Sequence, residues 1–227
     1  EDKCFMEQGN RIWKNHFSGA EFIENGWKTG LYTAPHEPCP EGRLILDYEM
    51  ALKKGYEEII RETEEKIQSF QPGTMQDASQ LYFWKAAITV LQGAIRFVSN
   101  YASEAEKQAL TEQDPQRRQE LEQMAATCRQ VPMKPPRNFT EAVQSFWFTY
   151  LLGHIEGSHL GYSPGRLDMV LYPYYSNDPD ITFEKAVTLF EELFVKMTQI
   201  EYIASLSWQG LGHGNLYQNL ILGGIDG

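Results

Sequence analysis

The run Gly161-Tyr162-Ser163-Pro164-Gly165-Arg166-Leu167-Asp168-Met169-Val170-Leu171-Tyr172-Pro173-Tyr174-Tyr175 constrains this chain more than any other feature. Pro164 and Gly165, side by side, punctuate the backbone and mark a tight turn. An Arg-x-Asp pair follows the turn at once, and an aromatic-rich segment follows the pair. That order is too particular for a generic helix boundary. It asks for one defined backbone path with a charge pair at its foot.

The rest of the sequence bounds what can surround that path. A hydrophobic content of 42%, with 13% aromatic residues, belongs to a globular chain with bulky core material. A formal charge of -11 excludes an electrostatic nucleic-acid binder and a polybasic membrane contact, because both need a basic footprint. Cys4, Cys39 and Cys128 are widely spaced. An odd count without a C-x-x-C pair makes neither a disulfide framework nor a zinc signature, and suits a reducing cytosol. No apolar run reaches the length of a membrane span.

Periodicity predicts mainly helices. Residues 1–45 are punctuated by Gly26, Gly30, Pro35, Pro38, Pro40 and Gly42 and read as irregular. A first helix is predicted from Asp47 to about Phe70, ended by Pro72-Gly73. A second, from about Ala78 to Tyr101, is apolar on most sides and is predicted to be buried, its aromatics Tyr82, Phe83, Trp84, Phe97 and Tyr101 included. Ser103 to Gln130 reads as one charged surface helix, followed by a linker at Pro132, Pro135 and Pro136. Asn138-Phe139-Thr140-Glu141 has the form of a capping box opening a mostly apolar helix to about His154. Asp178-Pro179-Asp180 reads as a turn, and Thr182 as the cap of an amphipathic helix from Phe183 to about Ser205. Gln209 to Asn215 reads as a glycine-rich loop and Asn219 to Leu222 as a short buried strand. The residues alone thus predict a helix-dominated piece with a little β structure near its end.

Three segments together resemble a known family. The run from Ser163 to Tyr175 resembles the S-P-G-R-[FL]-D-…-Y-P-Y-Y signature of the glycyl radical enzymes, the pyruvate formate-lyase-like superfamily. Asn138 to Glu156 resembles the helix that leads into it, and Tyr217 to Gly224 its Q-N-L-[IV]-[IVL]-G-G strand and turn. Arg11 to Tyr32 and the aromatic helix around Tyr82 to Tyr101 agree, so the likeness covers nearly the whole chain. It implies an α/β fold, this chain being a helix-dominated segment of a ten-stranded α/β barrel. It further implies a protein-derived glycyl radical that abstracts hydrogen from a cysteine, whose thiyl then abstracts hydrogen from a small substrate. The wording of the motifs is closer to the dehydratase, lyase and decarboxylase branch than to formate C-acetyltransferase-type enzymes. A radical S-adenosylmethionine activating enzyme, a homodimer, anaerobic metabolism and a cytoplasmic location come with the resemblance. A stand-alone helical interaction module is the alternative from another class.

The family's catalytic cysteine in a G-C-[VI]-E-like loop and its radical glycine in an R-V-x-G-[FWY]-like loop have no counterpart between Glu1 and Gly227. Chains of the family are several-fold longer. Residues 1–227 are therefore expected to be an internal segment of a single pyruvate formate-lyase-like domain, inactive alone, with no cofactor bound by the segment itself and no catalytic role for its cysteines.

Candidate site residues follow from the same alignment of motifs. The segment after the apolar helix that ends near His154 helps line the substrate pocket in the family, often as I-E-S-N-G-H-S. Glu156 matches it, while Gly157 and Ser158 replace the usual Ser-Asn pair. Ser158 is the expected polar contact; helix capping by Ser158 and His159 is the competing reading. Tyr217, beside the glycine loop, is the expected aromatic face of the same pocket, against a place in the helical core. Arg166 and Asp168 are expected to form an architectural ion pair rather than a substrate grip. His154 and His159 lie five apart, roughly 140° around a helix, which is not a metal-binding spacing.

Overall fold

The computed structural model describes residue 25 and residues 44–71, 73–157, 162–200 and 220–223. The helices run in the order α1 (Tyr48–Ser69), α2 (Met75–Thr111), α3 (Pro115–Gln130), α4 (Phe139–Gly157), α5 (Leu167–Ser176) and α6 (Phe183–Thr198). Among the described residues no helix is long and apolar enough to cross a membrane.

Local chemistry sets the boundaries. Asp47 Oδ1 accepts the Met50 amide at 2.9 Å and starts α1. Thr74 and Asp77 form a reciprocal capping box that starts α2 three residues ahead of the predicted Ala78. α2 then runs ten residues past Tyr101, so the predicted surface helix over 103–130 is two pieces. The break falls at Asp114-Pro115: Asp114 caps α3 and Pro115 opens it, and a residue before proline resists the helical conformation. Thr182 caps α6 through the Lys185 amide, as predicted.

The start of α4 differs in detail from a capping box. Asn138 Oδ1 accepts the Glu141 amide, but the Glu141 carboxylate takes the amide and guanidinium of Arg137 instead of the Asn138 amide. Asp178, from the turn after α5, reaches back across 39 residues to accept the Phe139 amide at 2.9 Å. One turn thus satisfies an orphan donor of another helix.

α1 is kinked at Gly55, whose φ of 72° and ψ of 163° are open essentially to glycine alone. The kink frees the amides of Tyr56 and Glu57, which donate to Pro132 O and Met133 O at 2.9 and 3.0 Å. The segment after α3, predicted as a linker, is therefore packed into the fold, with Val131, Pro132 and Met133 buried.

α4 is the central element. Phe139, Ala142, Val143, Phe146 and Tyr150 face a core built with Tyr48 and Leu52 of α1, Leu167 and Leu171 of α5, and Ala186, Leu193 and Met197 of α6. Phe148, on the other side of α4, packs on Val98 and Ala102 of α2 and Cys128 of α3. α2 and α3 are antiparallel: Arg129, in the last turn of α3, bonds Glu106 and Ser103 of α2. Alanines 94, 102, 105 and 109 of α2 and Ala125 of α3 are buried, and such small side chains let the two helices approach closely.

The prediction that α2 is buried from Ala78 to Tyr101 is corrected. Tyr82, Phe83, Val90 and Tyr101 are exposed, Tyr82 by 71% and Phe83 by 66%. Within the aromatic triplet, Trp84 meets Phe70 edge-on at 4.9 Å, the one ring contact of the three among the described residues. A helix buries only the stripe that faces a neighbour, and among the described residues this half of α2 packs that stripe on Ala51, Tyr56 and Ile59 of α1 and on Phe148 and Leu152 of α4. The predicted strand at 219–222 is likewise reduced to a single parallel bridge at Leu220, with Ile221 and Leu222 exposed.

Candidate functional site

The functional region is the junction where three distant parts of the chain run parallel. Leu44 bridges Tyr162 on one side, and Leu220 bridges Gly165 on the other. The Ser163 amide donates to Leu44 O at 2.7 Å, and the Ile221 amide donates to Gly165 O at 2.9 Å. Residues 162–165 are thus the middle of three parallel segments. Gly165 has a φ of 63°, the left-handed region that glycine reaches without a steric penalty. Pro164, which has no amide hydrogen, is fully buried there.

Arg166 and Asp168 stand directly below this turn. The guanidinium meets the carboxylate in a fork, Nε to Oδ1 and Nη2 to Oδ2, each at 2.9 Å. Asp168 Oδ2 also accepts the Gly223 amide at 3.0 Å. The carboxyl is held down to about 2, first by Arg166 and then by the Met169 and Gly223 amides. Both side chains remain about one-third exposed, so the pair is only partly withdrawn from solvent.

Above the turn, the end of α4 comes close. A Cβ on Gly153 would sit 2.8 Å from Leu46 Cδ1 and 3.2 Å from the Tyr162 ring, so a larger residue would make both side chains shift. The His154 ring lies edge-on to Tyr150 at 4.6 Å and edge-on to Tyr162 at 5.0 Å. Tyr48 and Tyr150 are buried in the same cluster. Among the described residues the Tyr48 hydroxyl has no hydrogen-bond partner, and burial, with Tyr150 and Tyr162 nearby, pushes its ionisation far above the ordinary phenol range. Tyr56, deeper between α1 and α4, donates to Thr149 Oγ1 at 3.1 Å and is pushed up to about 12 by burial. Tyr48 and Tyr56 are therefore neutral at physiological pH.

The predicted pocket residues divide. Glu156 is in the last turn of α4. Its side chain, Ser158, His159 and Tyr217 lie outside the described residues, and so does the question whether Ser158 and Tyr217 share a cavity. Cys4, Cys39 and the glycine loop over 209–215 also lie outside them. Cys128 is buried between α2, α3 and α4, and burial pushes its thiol up to about 11, which withholds the thiolate a nucleophile needs. Among the described residues no group of histidine, cysteine and acidic side chains could hold a metal ion. A concavity of about 630 Å³ between α2 and α3 is lined by Glu106, Leu110, Arg118, Glu122 and Arg129, far in sequence from every motif above.

The tyrosine and histidine cluster was not singled out in the sequence. Tyr150 and His154 are spaced i, i+4 on a helix that leads to Tyr162, a pattern that could have suggested it. Tyr48 belongs to no motif.

Comparison with known proteins places this junction in a family. Residues 9–227 match the pyruvate formate lyase-like family. The chain is 35% identical to indoleacetate decarboxylase of Tractidigestivibacter scatoligenes over 99% of its own length and 26% of that protein. It is 30% identical to (2S)-3-sulfopropanediol dehydratase of Klebsiella oxytoca over 96% of its length and 26% of that protein. The fold matches the B12-independent glycerol dehydratase of Clostridium butyricum with a TM-score of 0.74 and 32% identity, over 81% of this chain and 23% of that one. The chain belongs to the pyruvate formate lyase-like family of glycyl radical enzymes, and within it resembles the dehydratases, lyases and decarboxylases. It spans about a quarter of the length of the curated relatives it matches.

Proposed function

We propose that this chain is part of a glycyl radical enzyme that cleaves a small organic substrate by elimination or decarboxylation. The observation that carries the proposal is the near-complete coverage of the chain by both a decarboxylase and a dehydratase of one family, with the S-P-G-R turn seated between two parallel segments. Relatives that cleave carbon–sulfur bonds, the isethionate sulfite-lyases, favour the same branch over formate C-acetyltransferase chemistry. The likeness to full-length enzymes also disfavours a stand-alone interaction module.

In the enzyme, a protein-derived glycyl radical, formed outside residues 1–227, supplies hydrogen abstraction through a cysteine. The residues of this chain contribute the wall and its support. Ser158 offers a hydroxyl and Tyr217 an aromatic face to the substrate, with Glu156 beside them at the end of α4. Arg166 and Asp168 are architectural: the fork holds the pair together, and Asp168 also accepts the Met169 and Gly223 amides. A barrel interior also keeps reactive intermediates from water. The activating partner is a radical S-adenosylmethionine enzyme, and the assembly is a cytoplasmic homodimer in anaerobic metabolism.

The test is activation of the full-length enzyme by its activating partner, read by electron paramagnetic resonance, followed by turnover of arylacetates, vicinal diols and hydroxysulfonates. A glycyl radical with turnover of one of these classes is expected. A full-length protein that forms no radical, or residues 1–227 forming one alone, would sink the reading.

A further inference from the structure

We propose that the groove between α2 and α3 is a docking surface for a second copy of this chain, so that two helical hairpins close into a four-helix bundle. The inference rests on the homodimeric reading of the enzyme.

The outer half of the hairpin has a thin core. Val98, Ala102 and Cys128 join its inner half to Phe148 of α4. Beyond them, toward the turn, the buried side chains are Ala105, Ala109, Leu121 and Ala125. Three of the four are alanines, and burial stabilises in proportion to apolar area, so this arm gains little from its own packing. One side of it opens into the concavity of about 630 Å³. Ala109, Leu110, Ala125 and Ala126 give that concavity an apolar floor, and Leu110 is 85% exposed on it. Small side chains along the floor let another helix approach closely. Two antiparallel helices with an open apolar side form a closed core when a second pair covers them.

Charge selects the occupant. Among the described residues the ion pairs of this hairpin are Glu104–Lys107, Arg117–Glu120 and Glu106–Arg129. Arg118 and Glu122, both on the wall of the groove, belong to none of them. Arg118 Nε and Nη2 donate to Glu112 O at 3.2 and 2.6 Å, which orients the guanidinium and leaves its charge unneutralised. Arg118 and Glu122 are spaced i, i+4 on α3 and share a face. When two copies of α3 cross antiparallel about a twofold axis between these positions, Arg118 of each protomer meets Glu122 of the other, and the same pair forms twice. A groove wall of one sign would repel its own copy; this one is self-complementary.

The experiment measures the mass of the full-length enzyme by sedimentation velocity over a concentration series, with circular dichroism and thermal unfolding as checks on folding. Glu122→Arg sets guanidinium against guanidinium across the axis, and Arg118→Glu sets carboxylate against carboxylate. Each is expected to weaken the dimer by at least about tenfold in Kd, since like charges brought together at an interface oppose it strongly. The double variant Arg118→Glu/Glu122→Arg reverses both signs and is expected to return to the wild-type Kd. Mixing the two single variants is expected to give mixed dimers, in which every pair is again opposite in charge. Single variants that dimerise like wild type overturn this surface and leave the dimer to another. Single variants that lose thermal stability at unchanged mass overturn it too, because the groove is then filled by the enzyme's own chain. A double variant no tighter than the single ones overturns the Arg118–Glu122 pairing across the axis. A wild-type enzyme that stays monomeric at every concentration sinks the homodimer itself, and this surface with it.

Discussion

At the scale of single residues, two positions show what close packing imposes. Gly55 holds a φ of 72°, and a Cβ there would come within 2.5 Å of Met133 O. Backbone strain of that kind costs about 1–3 kcal/mol before any collision is counted. Gly55→Ala is accordingly expected to lower the unfolding free energy by at least that amount, measured by denaturant titration at fixed pH. A loss under half a kcal/mol, within the range of ordinary surface substitutions, would show that the kink relaxes without harm. Cys128 makes a second case. Its burial and raised thiol ionisation predict that iodoacetamide leaves Cys128 unmodified in the native protein at pH 8 and alkylates it after denaturation, as read by peptide mass spectrometry. Rapid native labelling would show that α2 and α3 part readily.

At the scale of elements, capping explains most boundaries, and one cap crosses between elements. Asp178 follows α5 yet satisfies the first amide of α4. Asp178→Ala removes that acceptor from a partly buried donor, and a loss of about 1 kcal/mol is expected, the usual worth of a cap. Thermal unfolding of the variant checks it; an unchanged midpoint would mean that solvent takes over the bond. α5 shows the opposite tension between local preference and packing. Pro173 lies inside it and would normally break a helix. The helix persists because Leu167 and Leu171 are buried in the main core and Tyr175 packs on Phe139 at 5.5 Å. Asn177 Nδ2 donates to Pro173 O at 2.7 Å and closes its end.

At the scale of the whole molecule, the parallel junction links residues 44, 162–165 and 220–223, and the Arg166–Asp168 fork is its lower fastening. Arg166→Ala in the full-length enzyme is expected to lower the melting temperature while leaving KM within about twofold, since the fork touches the Gly223 segment and surface pairs of this exposure bind little by themselves. Loss of substrate binding at an unchanged melting temperature would make Arg166 a ligand instead. The pH dependence has a definite sign. Asp168 is held near 2 in the folded chain against an ordinary value of 3.8. Its contribution is therefore fully present above about pH 4 and is lost as the pH falls through about 2. Wild type and Asp168→Asn should differ in melting temperature at pH 6 and converge toward pH 2; a gap that persists at pH 2 would show that charge is not the cause.

The sequence by itself determined the family, the helical character and most caps. Those signals are local: the S-P-G-R turn, Asp47, Asn138 and Thr182 each act on residues within one turn of the chain. It also carried signals for Thr74-x-x-Asp77 and Asp114-Pro115 that place the real ends of α2 and α3. Tertiary structure alone decided the rest. The apolar circumference of α2 announced burial, but burial depends on what stands opposite, and among the described residues this half of the helix turns one stripe toward α1 and α4 and leaves Tyr82, Phe83 and Val90 exposed. Tyr48 joins Tyr162 because α1 and the parallel segments converge, a proximity between residues more than a hundred positions apart that no local pattern encodes. The role of Pro132 and Met133 as acceptors for the Gly55 kink has the same origin: a carbonyl's partner is chosen by the fold, while the need for one is written in the chain.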